Sequence, residues 1–599
     1  DLKTDRLVFD VGHQSYPHKL LTGRNPNFHS LRQKDGVSGY PHPEESPSDV
    51  YRSGHASTAI STSLGILEGF LSQPETKERK VVALVGDGSL TGGMAFEGLN
   101  HAGHLGKNLI VILNDNSMSI SPTVGALSKS LNRFRHHNFV KKMEQDVVNF
   151  VQRIPRIGKR LFEALRIVGR QSRHLMNPGQ IFIDLGFEYI GPVEGHKVEE
   201  IVEALRTARK AKGPMLVHIL TEKGLGYKPE GPDGKAIIGP HALSPGQRKK
   251  EEAERKKKEE AERKKAEALA PTPYIVTSPQ TAVSSLPSYS KAFATALTRL
   301  TKTHPQIRAI TAAMEEGTAL DLFKKEFPDR YYDVGICEQH ATGFSAGLAT
   351  AGLRPVFAVY STFFQRAFDQ VFHEIVLQGK LPVVFCIDRA GLVGDDGPSH
   401  HGVYDISYLR LYPNLYVMAP KDGRELEDML AFSLRQEYSC AIRYPRETVP
   451  AENFFASHEP IELGRFETLQ EGKDLCLLAY GAQVALAMEA AKLLSKEGIE
   501  VSVVNGRFAK PILAEPMTAL AKKHRALITL EEGTVVGGFG SAVAEILFEA
   551  NAMPREFHRL GVPDRLIEHA SRADQLRECG LDVASIVGKV KEVLARLQR

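Results

Sequence analysis

The chain has 599 residues, 42% of them hydrophobic and 25% charged, with a net charge of +4, a balance that suits several buried cores and excludes disordered or collagen-like classes. No apolar run approaches the roughly 20 residues of a membrane helix, and so small a net charge gives no electrostatic case for nucleic acid. Part of that charge lies in a basic stretch between Arg133 and Arg173, which reads as a solvated helical face. Five dispersed cysteines (Cys337, Cys386, Cys440, Cys476 and Cys579) contain no CxxC pair, which argues against a zinc site or disulfide framework and suits a reducing compartment.

The first residue is Asp1, and residues 7–11 already read as a strand with no signal-peptide pattern ahead of them. The expectation is a chain lacking its natural start. Residues 80–85 and 108–113 are continuous apolar runs of the kind found in a buried parallel sheet. Each ends in a polar cluster, Gly86-Asp87-Gly88 and Asn114-Asp115-Asn116, placed at strand carboxyl ends, where open α/β sheets bind ligands. Glycines let backbone approach a diphosphate, and Asp87 and Asn116 offer the hard oxygens that magnesium prefers. Residues 90–100 carry a helical pattern whose amino terminus falls beside that site. Taken alone, GDG also fits a strand followed by a tight turn; the second cluster at the next strand end selects the diphosphate reading.

Strand and helix patterns alternate to about residue 245, including a strand over 214–220, and define a first α/β domain over 1–245. Two near copies of KKEEAER, at 249–255 and 257–263, carry i,i+4 pairs such as Glu251 with Arg255 and no apolar stripe. They read as an exposed helix or disordered segment within a linker over 246–288. A second parallel α/β unit spans 289–455, with strands expected at 308–313, 331–336, 355–360, 381–388 and 415–419. A third spans 456–599, with strands at 475–480, 500–504 and 526–530 and a glycine-rich Gly537-Gly538-Phe539-Gly540 turn that reads as a close strand-to-helix connection rather than a phosphate loop.

In the second unit, Glu338 of Gly335-Ile336-Cys337-Glu338-Gln339-His340 lies past a strand and heads a helix rich in small residues, a position that also fits a simple cap. The run Tyr360-Ser361-Thr362-Phe363-Phe364-Gln365-Arg366 follows another strand and sets Phe363 where a flat ring could stack.

The spacing of GDG and Asn116 resembles the thiamine diphosphate signature of the transketolase superfamily. With Gly12-His13-Gln14-Ser15-Tyr16-Pro17-His18-Lys19, Asp388-Arg389-Ala390-Gly391 and Tyr444-Pro445-Arg446 in that order, the chain resembles the 1-deoxy-D-xylulose-5-phosphate synthase family over nearly its whole length. The resemblance implies an α/β architecture of three doubly wound domains of transketolase type with mainly parallel sheets, and a homodimer. It implies condensation of pyruvate with D-glyceraldehyde 3-phosphate, with loss of carbon dioxide, in the first step of the non-mevalonate (MEP) isoprenoid pathway, which also feeds thiamine and pyridoxal biosynthesis. Bacterial cytoplasm, or plastid stroma in a plant, is the expected location.

The resemblance also assigns roles. Thiamine diphosphate would be contacted by His13, Gly86, Asp87, Gly88, Ser89, Asn116, Met118, Lys223, His241, Glu338 and Phe363, and Mg2+ by Asp87, Asn116 and Met118. Glu338 would hydrogen-bond the aminopyrimidine nitrogen, while His13, His55 and His400 serve proton movements. The phosphorylated aldehyde would be met by Arg389, Arg446 and Tyr360, with Arg366, Asp396 and His400 orienting substrate.

Two features depart from the family pattern. About 40 further residues, with a glycine-rich GH segment walling the active site, normally precede His13, and a small unit tolerates such loss poorly. The charged insert at 249–263 is longer than usual, which the slow growth of loop-closure cost permits. A transketolase shares the cofactor but fits the DRAG and YSTFFQRAFDQ runs less well. A cofactor-binding protein without turnover is the reading from another class, opposed by the presence of Glu338, Asp87 and Asn116.

Overall fold

A computed structural model describes residues 4–116, 124–126, 179–222, 225, 286–451, 454–455 and 458–598. The basic stretch, both heptapeptides, most of the linker, and Met118, Lys223 and His241 lie outside the described residues.

The first sheet contains β1 (Arg6–Phe9), β2 (Val81–Gly86), β3 (Leu109–Asp115), β4 (Glu188–Glu194) and β5 (Met215–Leu220) in the order β1-β2-β3-β5-β4, with every pairing parallel. Val81, Ala83 and Val85 of β2 and Leu109, Val111 and Leu113 of β3 pack against Ile60, Leu64, Leu67 and Leu99. Those partners come from two helices, Ala59–Leu71 and Gly93–Leu105. On the other face Ile110, Met215 and Val217 meet Ala204 and Ala208 of the helix Val198–Lys210. The two-sided cover explains the continuous apolar runs, because side chains alternate between faces: the face under the helix pair is buried, and Val82, Leu84 and Ile112 on the other are half-buried.

The second sheet is built from β6 (Ile307–Thr311), β7 (Tyr331–Asp333), β8 (Arg354–Tyr360), β9 (Val384–Asp388), β10 (Tyr416–Met418) and β11 (Cys440–Arg443). The third holds β12 (Glu467–Gln470), β13 (Leu475–Ala479), β14 (Val501–Asn505), β16 (Ala526–Thr534) and β17 (Glu556–Val562), in the order β12-β14-β13-β16-β17. Between β14 and β16 the chain leaves this sheet, and β15 (Phe508–Lys510) joins the edge of the second, giving β15-β10-β11-β9-β8-β6-β7. β15 runs antiparallel to β10, and β12 antiparallel to β14; every other pairing is parallel.

The helix Tyr289–Thr301 is capped by the Ser288 side chain, which accepts from the Lys291 amide. β4, β11, β12, β15 and β17 were not expected from pattern. β15 has three residues, and its neighbour is chosen by a sheet belonging to another stretch of chain. β17, at a sheet edge, carries Glu556, His558 and Arg559 among its seven residues and buries only its last two.

A buried ionic cluster joins the second and third units. Lys421 Nζ donates to Glu467 at 2.7 Å, Arg507 Nε to Glu425 at 2.7 Å, and Asn505 Nδ2 to Glu425 at 2.9 Å. Removing one partner from such a set costs about 3–5 kcal/mol because it leaves an uncompensated buried charge. The Gly537-Gly538-Phe539-Gly540 turn opens the helix Phe539–Glu549, and the Glu531 carboxylate accepts from the Phe539 and Gly540 amides at 2.7 and 2.8 Å. This amino terminus is therefore closed by the protein's own carboxylate, as the strand-to-helix reading expects.

Candidate active site between the first and second units

The site forms where carboxyl ends of β1–β3 face the amino terminus of the helix Glu338–Thr350. Asp10, just past β1, accepts from the Ser57 and Ala59 amides at 2.8 and 3.0 Å and so caps the helix carrying the buried Ile60 and Leu64. Asp87 follows β2 and is 3% exposed. The Asn116 amide approaches Asp87 Oδ1 at 3.5 Å, so the two expected metal ligands stand on neighbouring strand ends.

The first unit touches the second directly after this loop. Cys337 Sγ donates to the Thr91 carbonyl at 3.3 Å. A Cβ on Gly92 would lie 2.2 Å from Ser57 Oγ and 3.3 Å from the Ile336 carbonyl, so only glycine permits the approach. The residue after Cys337 is Glu338, and the Asp87 loop and the candidate catalytic carboxylate thus adjoin where the two units touch.

Glu338 is 3% exposed. Burial raises its carboxyl above the usual glutamate value, partly offset by the Arg366 guanidinium, whose Nη1 lies 3.8 Å from Oε2. Arg366 also donates to the Ala56 carbonyl of the first unit. Beside it runs an aromatic cluster. Phe363 stacks on Tyr360 with centroids 5.6 Å apart, and meets His55 and His400 edge-on at 5.2 and 5.5 Å. His55 Nε2 donates to the Ser399 carbonyl at 2.8 Å and lies 3.1 Å from Thr362 Oγ1, while burial lowers its pKa. His400 has Nδ1 2.8 Å from Ser399 Oγ and Nε2 3.3 Å from Tyr40 Oη, and stacks on the Tyr40 ring at 4.9 Å. Burial, opposed by the nearby Asp396 carboxylate, holds the His400 imidazole down at about 4.

Asp396 lies between two arginines, accepting from Arg32 Nη1 at 2.6 Å and Arg446 Nη1 at 3.0 Å. Arg32 also covers the Tyr40 ring at 5.1 Å. Arg389 lies over Tyr360 at 3.8 Å and donates to the Gly317 carbonyl at 3.0 Å.

Of the residues singled out in the sequence, the structure gathers His55, Glu338, Tyr360, Phe363, Arg366, Arg389, Asp396, His400 and Arg446 through these contacts. Gly86, Asp87, Gly88, Ser89 and Asn116 stand at the adjoining strand ends, and His13 is exposed on the loop after β1. Sequence reasoning missed Asp10, Arg32, Tyr40 and Ser399. Ser399 adjoins a chosen histidine and was findable; Arg32 and Tyr40 carry no local signal, and only the fold brings them to residues some 360 positions away.

Residues 1–221 match the family model described as 1-deoxy-D-xylulose-5-phosphate synthase, 286–452 the transketolase pyrimidine binding domain, and 464–586 the transketolase C-terminal domain. A 1-deoxy-D-xylulose-5-phosphate synthase of Syntrophus aciditrophicus is 44% identical, covering 99% of this chain and 87% of its own. That of Synechococcus elongatus is 45% identical over 100% of this chain and 90% of its own, and that of Thermosynechococcus vestitus 46% identical over 97% and 87%. Among solved structures, transketolase from Campylobacter jejuni aligns over 99% of this chain and 91% of that one at 20% identity, with a TM-score of 0.45. The chain therefore belongs to the 1-deoxy-D-xylulose-5-phosphate synthase family, thiamine diphosphate-dependent transferases of transketolase type that condense pyruvate with D-glyceraldehyde 3-phosphate, releasing carbon dioxide, in the first step of the MEP isoprenoid pathway.

Proposed function

We propose that this chain carries out the family's condensation in the cleft between Asp87 and Glu338, with Mg2+ as the ion that anchors the cofactor. The observation that carries the reading is the contact of Thr91 and Gly92 with Ile336 and Cys337, which sets a phosphate-type loop against a buried carboxylate at a helix amino terminus. The donor set supports the ion: one carboxylate and one amide leave positions for phosphate oxygens and water, as magnesium prefers, and among the described residues no group of three or more His, Cys, Asp or Glu gathers to hold a metal by itself.

Asp87, Asn116 and the chain at Met118 would hold Mg2+, and Gly86, Gly88 and Ser89 let backbone meet the diphosphate. Lys223, His241 and His13 complete the cofactor contacts. When bound, thiamine diphosphate supplies the nucleophilic carbon and the electron sink for decarboxylation. Glu338 holds a proton at the aminopyrimidine nitrogen, a task suited to a carboxyl whose burial favours the protonated form. Phe363 offers its ring to the pyrimidine. His55 and His400, both kept neutral by burial, and His13 hold or move protons at the reacting carbonyls. Arg389 and Arg446, with Tyr360, bind the aldehyde's phosphate, and Arg366 and Asp396 orient substrate. A homodimer, in bacterial cytoplasm, is the proposed working form.

The test is carbon dioxide release from pyruvate by this chain with thiamine diphosphate and Mg2+, with and without D-glyceraldehyde 3-phosphate, and identification of the sugar product. Aldehyde-stimulated release with deoxyxylulose phosphate formed is the expected result. Interconversion of pentose phosphates without pyruvate decarboxylation would overturn the reading.

A further inference from the structure

Three side chains from three neighbouring strands form a hydrogen-bonded chain whose His218 and Asp115 members are buried. Tyr189 Oη on β4 lies 2.7 Å from His218 Nδ1 on β5, and His218 Nε2 lies 3.1 Å from Asp115 Oδ2 at the end of β3. His218 and Asp115 are 0% and 1% exposed. A carboxylate can only accept, so Nε2–H donates to Asp115, and Nδ1 and the phenol share the second hydrogen bond. β4 approaches closely here: a Cβ on Gly191 would lie 2.7 Å from the His218 carbonyl.

Asp115 is the middle residue of Asn114-Asp115-Asn116. Alternation along a strand sends Asn114 and Asn116 to one side and Asp115 to the other. Each of the three is held differently. The Thr221 hydroxyl donates to Asn114 Oδ1 at 2.7 Å, the Thr221 backbone N–H donates to the Asp115 carbonyl at 2.9 Å, His218 grips the Asp115 side chain, and the Asn116 backbone N–H faces Asp87 Oδ1 at 3.5 Å. Ladder bonds to β2 and β5 fix the edges of the strand as far as Asn114 and Asp115, so the side-chain grip on Asp115 bears on how the chain leaves the ladder at Asn116. We propose that Tyr189 and His218 are positioning residues for the metal: by fixing Asp115 on the far face they hold Asn116 toward Asp87. The inference rests on the proposed Mg2+ site at Asp87 and Asn116.

Calorimetric titration of Mg2+ into the chain at saturating thiamine diphosphate tests it. Residues that orient metal ligands from behind typically change metal affinity about 10- to 100-fold when lost. The expected result is weakening in that range for His218→Ala and a smaller weakening for Tyr189→Phe, with His218→Gln near the parent because its amide nitrogen still donates to Asp115. At saturating Mg2+, Tyr189→Phe should regain the parental kcat, a split that general loss of stability would not produce. Parental Mg2+ affinity in Tyr189→Phe and His218→Ala, with Asn116→Ala weakened, overturns the positioning role alone. Should His218→Ala fail to fold, Tyr189→Phe decides by itself. Parental affinity in Asn116→Ala overturns the metal site itself.

Discussion

Arg32 Nη1 and Asp396 Oδ1 lie 2.6 Å apart although 364 positions separate them in the chain. This ion pair, with the Arg32 guanidinium over Tyr40 and the Tyr40 ring on His400, ties the first unit to the second at the rim of the site. A double-mutant cycle of Arg32→Met and Asp396→Asn, read by chemical unfolding, should give a coupling of about 0.5–3 kcal/mol, the range for residues in contact. Additive effects would show that the pair contributes nothing to joining the units.

Arg446 donates to both carboxylates of the Asp395-Asp396 pair, at 3.3 and 3.0 Å, leaving its charge shared at the place proposed for the aldehyde's phosphate. Charge-assisted hydrogen bonds contribute about 1.5–3 kcal/mol, so Arg446→Ala should raise KM for D-glyceraldehyde 3-phosphate on the order of 10- to 100-fold. KM for pyruvate should stay near the parent's. Steady-state kinetics with each substrate varied in turn checks the asymmetry.

For Glu338 the prediction couples activity to stability. Its folded pKa lies above the usual 4.5 because the carboxyl is buried, so the fold prefers the protonated form, and this group costs stability as pH rises through the raised value. Glu338→Gln should abolish turnover while melting about 1–3 °C higher than the parent at pH 8, a gain that fades below pH 4.5. Turnover near the parental rate would remove Glu338 from its catalytic role.

His400 behaves with the opposite sign. Its imidazole falls from 6.5 to about 4 on folding, so the neutral form is favoured; the stability this contributes is complete above 6.5 and is lost as pH falls toward 4. His400→Gln should flatten the acid limb of the stability profile across that window, measured by denaturant titration at several pH values. An unchanged acid limb would place the His400 pKa near its ordinary value.

Three parallel units were legible because fully buried strands such as β9 and β13, with every residue covered, write themselves as unbroken apolar runs. The clusters ending β2 and β3 were legible for a related reason: ligand chemistry in open α/β sheets sits at strand carboxyl ends, so an apolar run followed by GDG or NDN points to a place as well as a chemistry. Glu338 and Phe363 came from local motifs of the same kind, whereas the roles of Arg389 and Arg446 came from the family resemblance.

What tertiary structure alone decided is the set of contacts that cross between units. The capture of β15 by the second sheet, the Arg32–Asp396 pair, the Tyr40–His400 stack and the Tyr189–His218–Asp115 chain each join residues from separate elements, none marked by periodicity or turn chemistry. Local sequence determines which face of a strand or helix is buried and where it ends, because propensity and burial act over a few residues. Which arginine meets which carboxylate depends on how whole sheets pack, a choice made by the summed burial of many apolar side chains rather than by the residues that finally touch.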